Sequence, residues 1–166
     1  IPIVARCLDA VMVAVTSDGS REISAGEFFY SAMDTALADE ECLTEVQFPI
    51  WQEAKVGSGF QEVSIRDCDF ALVAAAAQVA TDDNGKCTQA AVAVGGCAPA
   101  AVKIEAVGEV LIGSDLSDST INEASALVVD ALDPDSDVHA TADYRKRVAG
   151  QIVRRVLDEA RSEIGG

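Results

Sequence analysis

Apolar positions change period along this chain, and the changes divide it. Residues 11–15 form a short run rich in β-branched side chains, which predicts a strand. The turn Ser17-Asp18-Gly19-Ser20 returns it to a second strand at Arg21-Glu22-Ile23. A helical turn is expected over residues 1–9, and a short irregular or helical piece at residues 25–29. Residues 44–48 alternate polar and apolar as a half-buried strand does, and Pro49 ends it. The stretch 51–59 shows little pattern and two glycines, so a loop and a domain boundary are expected there. Residues 60–65 alternate again. Residues 70–80 are almost continuously apolar, which fits a doubly buried strand or a helix. Asn84-Gly85 decides for the strand, because Asn-Gly between apolar runs marks a tight hairpin. Residues 88–94 are then its antiparallel partner.

The remainder reads as helical. A short helix is expected over residues 101–112, ending at Gly113. A second is capped by Asp118 or Ser119, with Ile121, Ala124, Leu127, Val128 and Leu132 on its apolar face. The linker from Asp133 to Asp137 breaks it. A last helix from Thr141 or Ala142 carries Val148, Ala149, Ile152, Val156 and Leu157 at helical spacing. Strands followed by helices give an α+β class: a first part over residues 1–52, then residues 58–166 as a three-stranded antiparallel sheet with helices.

Composition narrows function mostly by exclusion. A formal charge of −16 over 166 residues argues against nucleic acid and against anionic membrane surfaces. It favours solubility, and scarce lysine also fits a saline habitat. No run is long and apolar enough to cross a membrane. Five scattered cysteines (Cys7, Cys42, Cys68, Cys87, Cys97) without CxxC spacing fit reduced thiols in a cytoplasmic protein. The chain opens apolar at Ile1 rather than at a Met, so a processed chain or an excerpt of a longer one is expected. Half of the 12 basic residues fall between Arg145 and Arg161. They form either a docking face for an acidic partner or an ordinary solvated helix face.

Candidate chemistry is thin. There is no GxGxxG, P-loop or GxSxG motif. The one histidine, His139, reads better as a helix-entry residue than as a proton relay. The acidic pairs Asp39-Glu40-Glu41 and Asp82-Asp83 read as solvated turns. No nucleophile or metal set supports a standalone enzyme.

Four strings in order carry more. They are Pro2-Ile3-Val4 through Leu8-Asp9-Ala10 with Glu27-Phe28-Phe29, residues 37–49, residues 60–73 with Arg66, Asp69, Phe70 and Ala71, and Asp137-Val138-His139 through Tyr144-Arg145 into Val153-Arg154-Arg155. Together they resemble the FAD-binding medium subunit of the xanthine dehydrogenase and carbon monoxide dehydrogenase family of molybdenum hydroxylases, in its C-terminal portion. The resemblance implies a flavin-bearing electron-transfer subunit, not active alone. Partner subunits would carry molybdopterin (large) and [2Fe-2S] clusters (small), and electrons would pass from the clusters through FAD to an acceptor. It implies that residues 1–52 complete an FAD-binding domain whose pyrophosphate-binding loops lie on a separate N-terminal segment. It places Leu43 and Phe60 against the flavin, and puts Gln61 or Glu62 where the family carries a lysine. An acid there should make flavin reduction harder. A non-catalytic docking module within a multi-subunit complex is the alternative.

Overall fold

The computed structural model describes residues 1–66 and 69–165. Helix α1 (Pro2–Cys7) leads into strands β1 (Val11–Val15) and β2 (Ser20–Ser24), a helical turn α2 (Ala25–Phe28), a small hairpin of β3 (Phe29–Ser31) and β4 (Asp34–Thr35), and β5 (Cys42–Gln47). Strands β6 (Lys55–Ser64), β7 (Ala71–Thr81), β8 (Cys87–Gly95) and β9 (Val102–Lys103) follow, then helices α3 (Glu105–Leu111), α4 (Asp118–Ala131) and α5 (Ala142–Gly165). Two larger antiparallel sheets result, ordered β2-β1-β5 and β6-β7-β8-β9. The expected α+β class with a three-stranded sheet is present, extended by the two-residue β9.

The second sheet is covered on both faces. Period-2 alternation sends Val73, Ala75, Ala77 and Val79 of β7, with Val92 and Val94 of β8, into the main core beneath α3, α4 and α5. Ala76, Ala91 and Ala93 point the other way and meet Cys7, Ile3 and Leu8 of the α1 segment. Small side chains on this second face let a helix lie close. That explains why Ala and Val, rather than large rings, fill this core. The smaller core under the first sheet gathers Met12, Ala14, Ile23 and Phe28.

Two expected elements differ from those found. Residues 55–59, expected as loop, are the first half of β6. Gly57 and Gly59 lack the apolar signature of a strand because their faces are taken by a helix. A Cβ on Gly57 would lie 1.9 Å from the Ala160 carbonyl oxygen of α5, and one on Gly59 would lie 2.2 Å from that of Val156. Only glycine lets α5 sit so low on the edge strand. The helix expected over 101–112 is shorter, because Val102 and Lys103 pair with Val94 and Ala93 as β9. The α4 N-cap is Ser117, one residue before Asp118, and its hydroxyl contacts those of Ser119 and Thr120. Of the thiols, Cys7, Cys87 and Cys97 are buried and Cys42 is exposed, all unpaired. Cys68 lies outside the described residues.

Candidate functional site

Alternation along β6 sorts the residues singled out by sequence. Phe60 lies opposite Ala76 and Glu62 opposite Ala74, so both belong to the sheet face that carries α1. Gln61 lies on the α5 face, where its amide donates to the Glu159 carboxylate at 3.2 Å. Of the two residues at the lysine position, Glu62 therefore shares a face with Phe60 and Gln61 does not. Leu43 sits on the other sheet. It pairs with buried Ala14 beside a bulge at Thr44, whose hydroxyl donates to the Val13 carbonyl at 3.3 Å. It is 38% exposed, at the end of its strand's apolar face.

Phe60, 45% exposed, lines a groove of about 380 Å³ between α1 and the β6 edge. Val4, Cys7 and Leu8 wall it from α1. Gly59, Ala76 and Ala77 form its floor, with Ser58, Gln78 and Glu159 at the polar rim. Such an apolar slot with a few polar edge groups suits a flat heteroaromatic ring. Leu43 is not among its lining residues. Sequence reading missed Val4, Leu8 and Ser58; the Gly57-Ser58-Gly59 spacing was the available signal, since it marks a helix crossing the edge strand.

Electrostatics point to binding rather than acid–base work. Among the described residues no cation lines the groove. Burial pushes the Cys7 thiol up to about 12, so it stays protonated, and it donates weakly to the Ala76 carbonyl at 3.5 Å. The clearly shifted carboxylates move away from neutrality. Glu41 is the sharpest case: Asp39 and Glu40 do sit in an exposed turn, but the Glu41 side chain is held in a fork. Arg21 donates to both Glu41 oxygens, at 2.5 and 2.8 Å, and the Ala38 amide donates at 2.7 Å. The Arg21 guanidinium is the main reason the Glu41 carboxyl falls to about 2. Asp82 does sit in a turn, held low chiefly by the Lys86 amide.

Three of the described glycines supply no diphosphate cradle. Gly57 and Gly59 are filled by α5, and Gly96 is backed by the Leu72 carbonyl. The groove's apolar lining suits a flat ring, and Gly57, Gly59 and Gly96 do not offer the free backbone amides that a diphosphate needs.

The string Asp137 to Arg145 proves to be architectural. Arg145 is buried, and donates to the carbonyls of Leu72 and Gly96 and, at 2.7 Å, to the Asp137 carboxylate. Asp137 also accepts from the His139 and Ala140 amides at 2.9 Å, and these bonds hold its carboxyl below the usual range. Gly96 fits this corner because its φ is +81° and a Cβ would meet the Leu72 oxygen at 2.3 Å. His139 is exposed and contributes its backbone amide, as a helix-entry residue does.

The basic cluster divides. Arg145 is internal, and Arg161 ties α5 to α4 through Asp118 and the Leu116 carbonyl. Lys146, Arg147 and Arg154 remain on the outer face of α5, along a second groove.

The chain is similar to known proteins along nearly its whole length. Residues 58–160 match the family described as CO dehydrogenase flavoprotein C-terminal domain. The chain is 34% identical over 160 residues to the 6-hydroxypseudooxynicotine dehydrogenase complex subunit alpha of Paenarthrobacter nicotinovorans, covering 96% of this chain and 54% of that one. It is 30% identical over 161 residues to the carbon monoxide dehydrogenase medium chain of Afipia carboxidovorans, covering 97% and 55%. Its structure superposes on quinoline 2-oxidoreductase from Pseudomonas putida 86 with a TM-score of 0.87 at 32% identity, covering 97% and 55%. The chain thus spans about half the length of the relatives it matches. Among the described residues no helix is long and apolar enough to cross a membrane, and no cluster of metal-ligating side chains occurs.

Proposed function

Since the chain belongs to the CO dehydrogenase flavoprotein C-terminal domain family, we propose that it forms the flavin-ring-facing part of the medium subunit of a molybdenum hydroxylase. The observation that carries this is the α1–β6 groove, with Phe60 at its mouth and alanines at its floor. Bound FAD would supply the redox chemistry, with electrons arriving from [2Fe-2S] clusters in a small subunit and leaving to an acceptor. Oxidation of substrate would occur in a molybdopterin large subunit. Residues 1–52 would complete the FAD-binding domain and 58–166 the C-terminal domain. The diphosphate would be held by the remaining N-terminal segment, so this chain alone retains FAD weakly and is inactive alone. A cytoplasmic location fits the unpaired cysteines.

Within that frame the chain's residues have separable roles. Phe60 presents a ring face on which the isoalloxazine packs, and Leu43 closes the flavin from the first sheet. Gln61, tied to Glu159, holds β6 to α5. Glu62 places a carboxylate on the Phe60 face where a lysine would stabilise negative charge, so electron uptake becomes harder. The test is flavin content and reduction potential of the complete complex. Phe60→Ala should weaken FAD retention about tenfold, and Glu62→Gln should raise the potential by on the order of 20 mV. Unchanged FAD content and potential in both variants would overturn the assignment.

A docking module without redox role is the second reading, favoured by the cationic groove on α5. Flavin absorbance in the intact complex separates the two.

A further inference from the structure

The outer face of the α4–α5 pair carries a groove of about 450 Å³. It opens because small residues line the helix contact. Ser125 and Ala126 lie on α4, Gly150 lies on α5, and a Cβ at Gly150 would already stand 3.2 Å from Val129. Val129, 37% exposed, gives it an apolar floor. Lys146, Arg147 and Arg154 stand over it, with Asp143 the one carboxylate among the lining residues.

This charge is anomalous for the molecule. A chain of net charge −16 places three cations around one groove. Nor are they consumed internally. Lys146 reaches Asp133 at 3.5 Å, where Asp133 is fully exposed, and Arg154 reaches Asp158 only at 3.8 Å. Arg147 stacks over Tyr144, its guanidinium 5.7 Å from the ring centroid, and has no carboxylate partner among the described residues. Such pairs hold their partners weakly and exchange readily. The spacing of Lys146, Gly150 and Arg154 sets both ends of one helical stripe positive about an uncharged centre.

We infer that this groove seats an acidic segment of a partner subunit, with carboxylates meeting Lys146, Arg147 and Arg154 and an apolar side chain resting on Val129. The surface lies on the opposite side of the sheet from Phe60, so docking leaves the flavin groove open. The inference rests on the multi-subunit reading above, and it adds where and by what chemistry a partner is held. Complementary charge of this kind sets register and association rate more than bulk affinity.

Carbodiimide cross-linking of the purified complex tests it, because the chain's amine-bearing side chains are only Lys55, Lys86, Lys103 and Lys146, so a link through Lys146 is readily mapped. Lys146 should couple to an Asp or Glu of another subunit, and the product should vanish when linking is done at about 1 M salt. Replacing the three cations (K146E, R147E and R154E together) should weaken assembly about tenfold or more and flatten its salt dependence, with flavin content unchanged. The neutral set K146Q, R147Q and R154Q should fall between, which guards against a folding defect. The proposal is overturned if Lys146 links only to its own Asp133 or to a second copy of the chain, or if the reversed variant assembles with wild-type salt dependence. A flavin-containing preparation without partner subunits also overturns it while sparing the flavoprotein reading. A complex with the Lys146 link but no flavin does the reverse.

Discussion

Replacing Arg145 should cost the domain several kcal/mol, although the residue lines neither of the two proposed grooves. Its side chain is 9% exposed and bonds three groups from three separate segments: Leu72 in β7, Gly96 after β8, and Asp137 before α5. Arg145→Met keeps the stem and removes the fork. The two carbonyls then lose a charged donor. Hydrogen bonds to charged groups are worth about 1.5–3 kcal/mol each. Both carbonyls are only part-buried, so the lower end applies and the pair totals about 3 kcal/mol. Asp137 is half-exposed and regains water, so its ion pair adds little. For a chain of this size each kcal/mol shifts Tm by about 2–4 °C. The expected fall is therefore about 6–12 °C, with a lower urea midpoint at unchanged slope. Arg145→Lys should recover only part of it, because one ammonium cannot span a planar three-acceptor site. A loss below about 1 kcal/mol, or full rescue by lysine, would refute the idea that Asp137 to Arg145 is a lock on the sheet.

Other perturbations test the rest. Gly59→Val forces side-chain atoms into the space of the Val156 carbonyl; overpacking of this kind costs about 1–3 kcal/mol or more. It should lower the urea midpoint and shift the Phe60 environment, while Gly19→Val, with nothing within 4 Å of its Cβ, should do the first only through backbone strain. Glu41 tests pH dependence. Its folded carboxyl lies at about 2 against an ordinary 4.5, so its contribution is complete above about 4.5 and is lost as pH falls toward 2. The difference in unfolding midpoint between wild type and Glu41→Gln should be constant from pH 7 to 5 and shrink between pH 4 and 3. A difference that grows on acidification would contradict the Arg21 fork.

Local pattern was enough for much of this protein. Period-2 runs, the Asn84-Gly85 turn and the 3.6-residue apolar stripe of the last helix marked the strands and helices, because each reflects burial of one face of one element. The order of short strings across the chain identified its family. Where long-range contacts override the local signal, pattern failed. Residues 55–59 looked like loop because Gly57 and Gly59 receive the α5 carbonyls of Ala160 and Val156, about a hundred residues later, which leaves no periodicity to read. Glu41 looked like one acid among several in a turn until Arg21, on β2 at the far side of the sheet's central strand, closed on it. The arginines between 145 and 161 looked alike in sequence. Only the packing of α5 against α4 and the sheet sent Arg145 inward, spent Arg161 on a helix terminus, and left Lys146, Arg147 and Arg154 on an open groove. Sequence sets which residues can be buried or charged; which charges are satisfied depends on partners brought together by the fold, and that was decided in three dimensions.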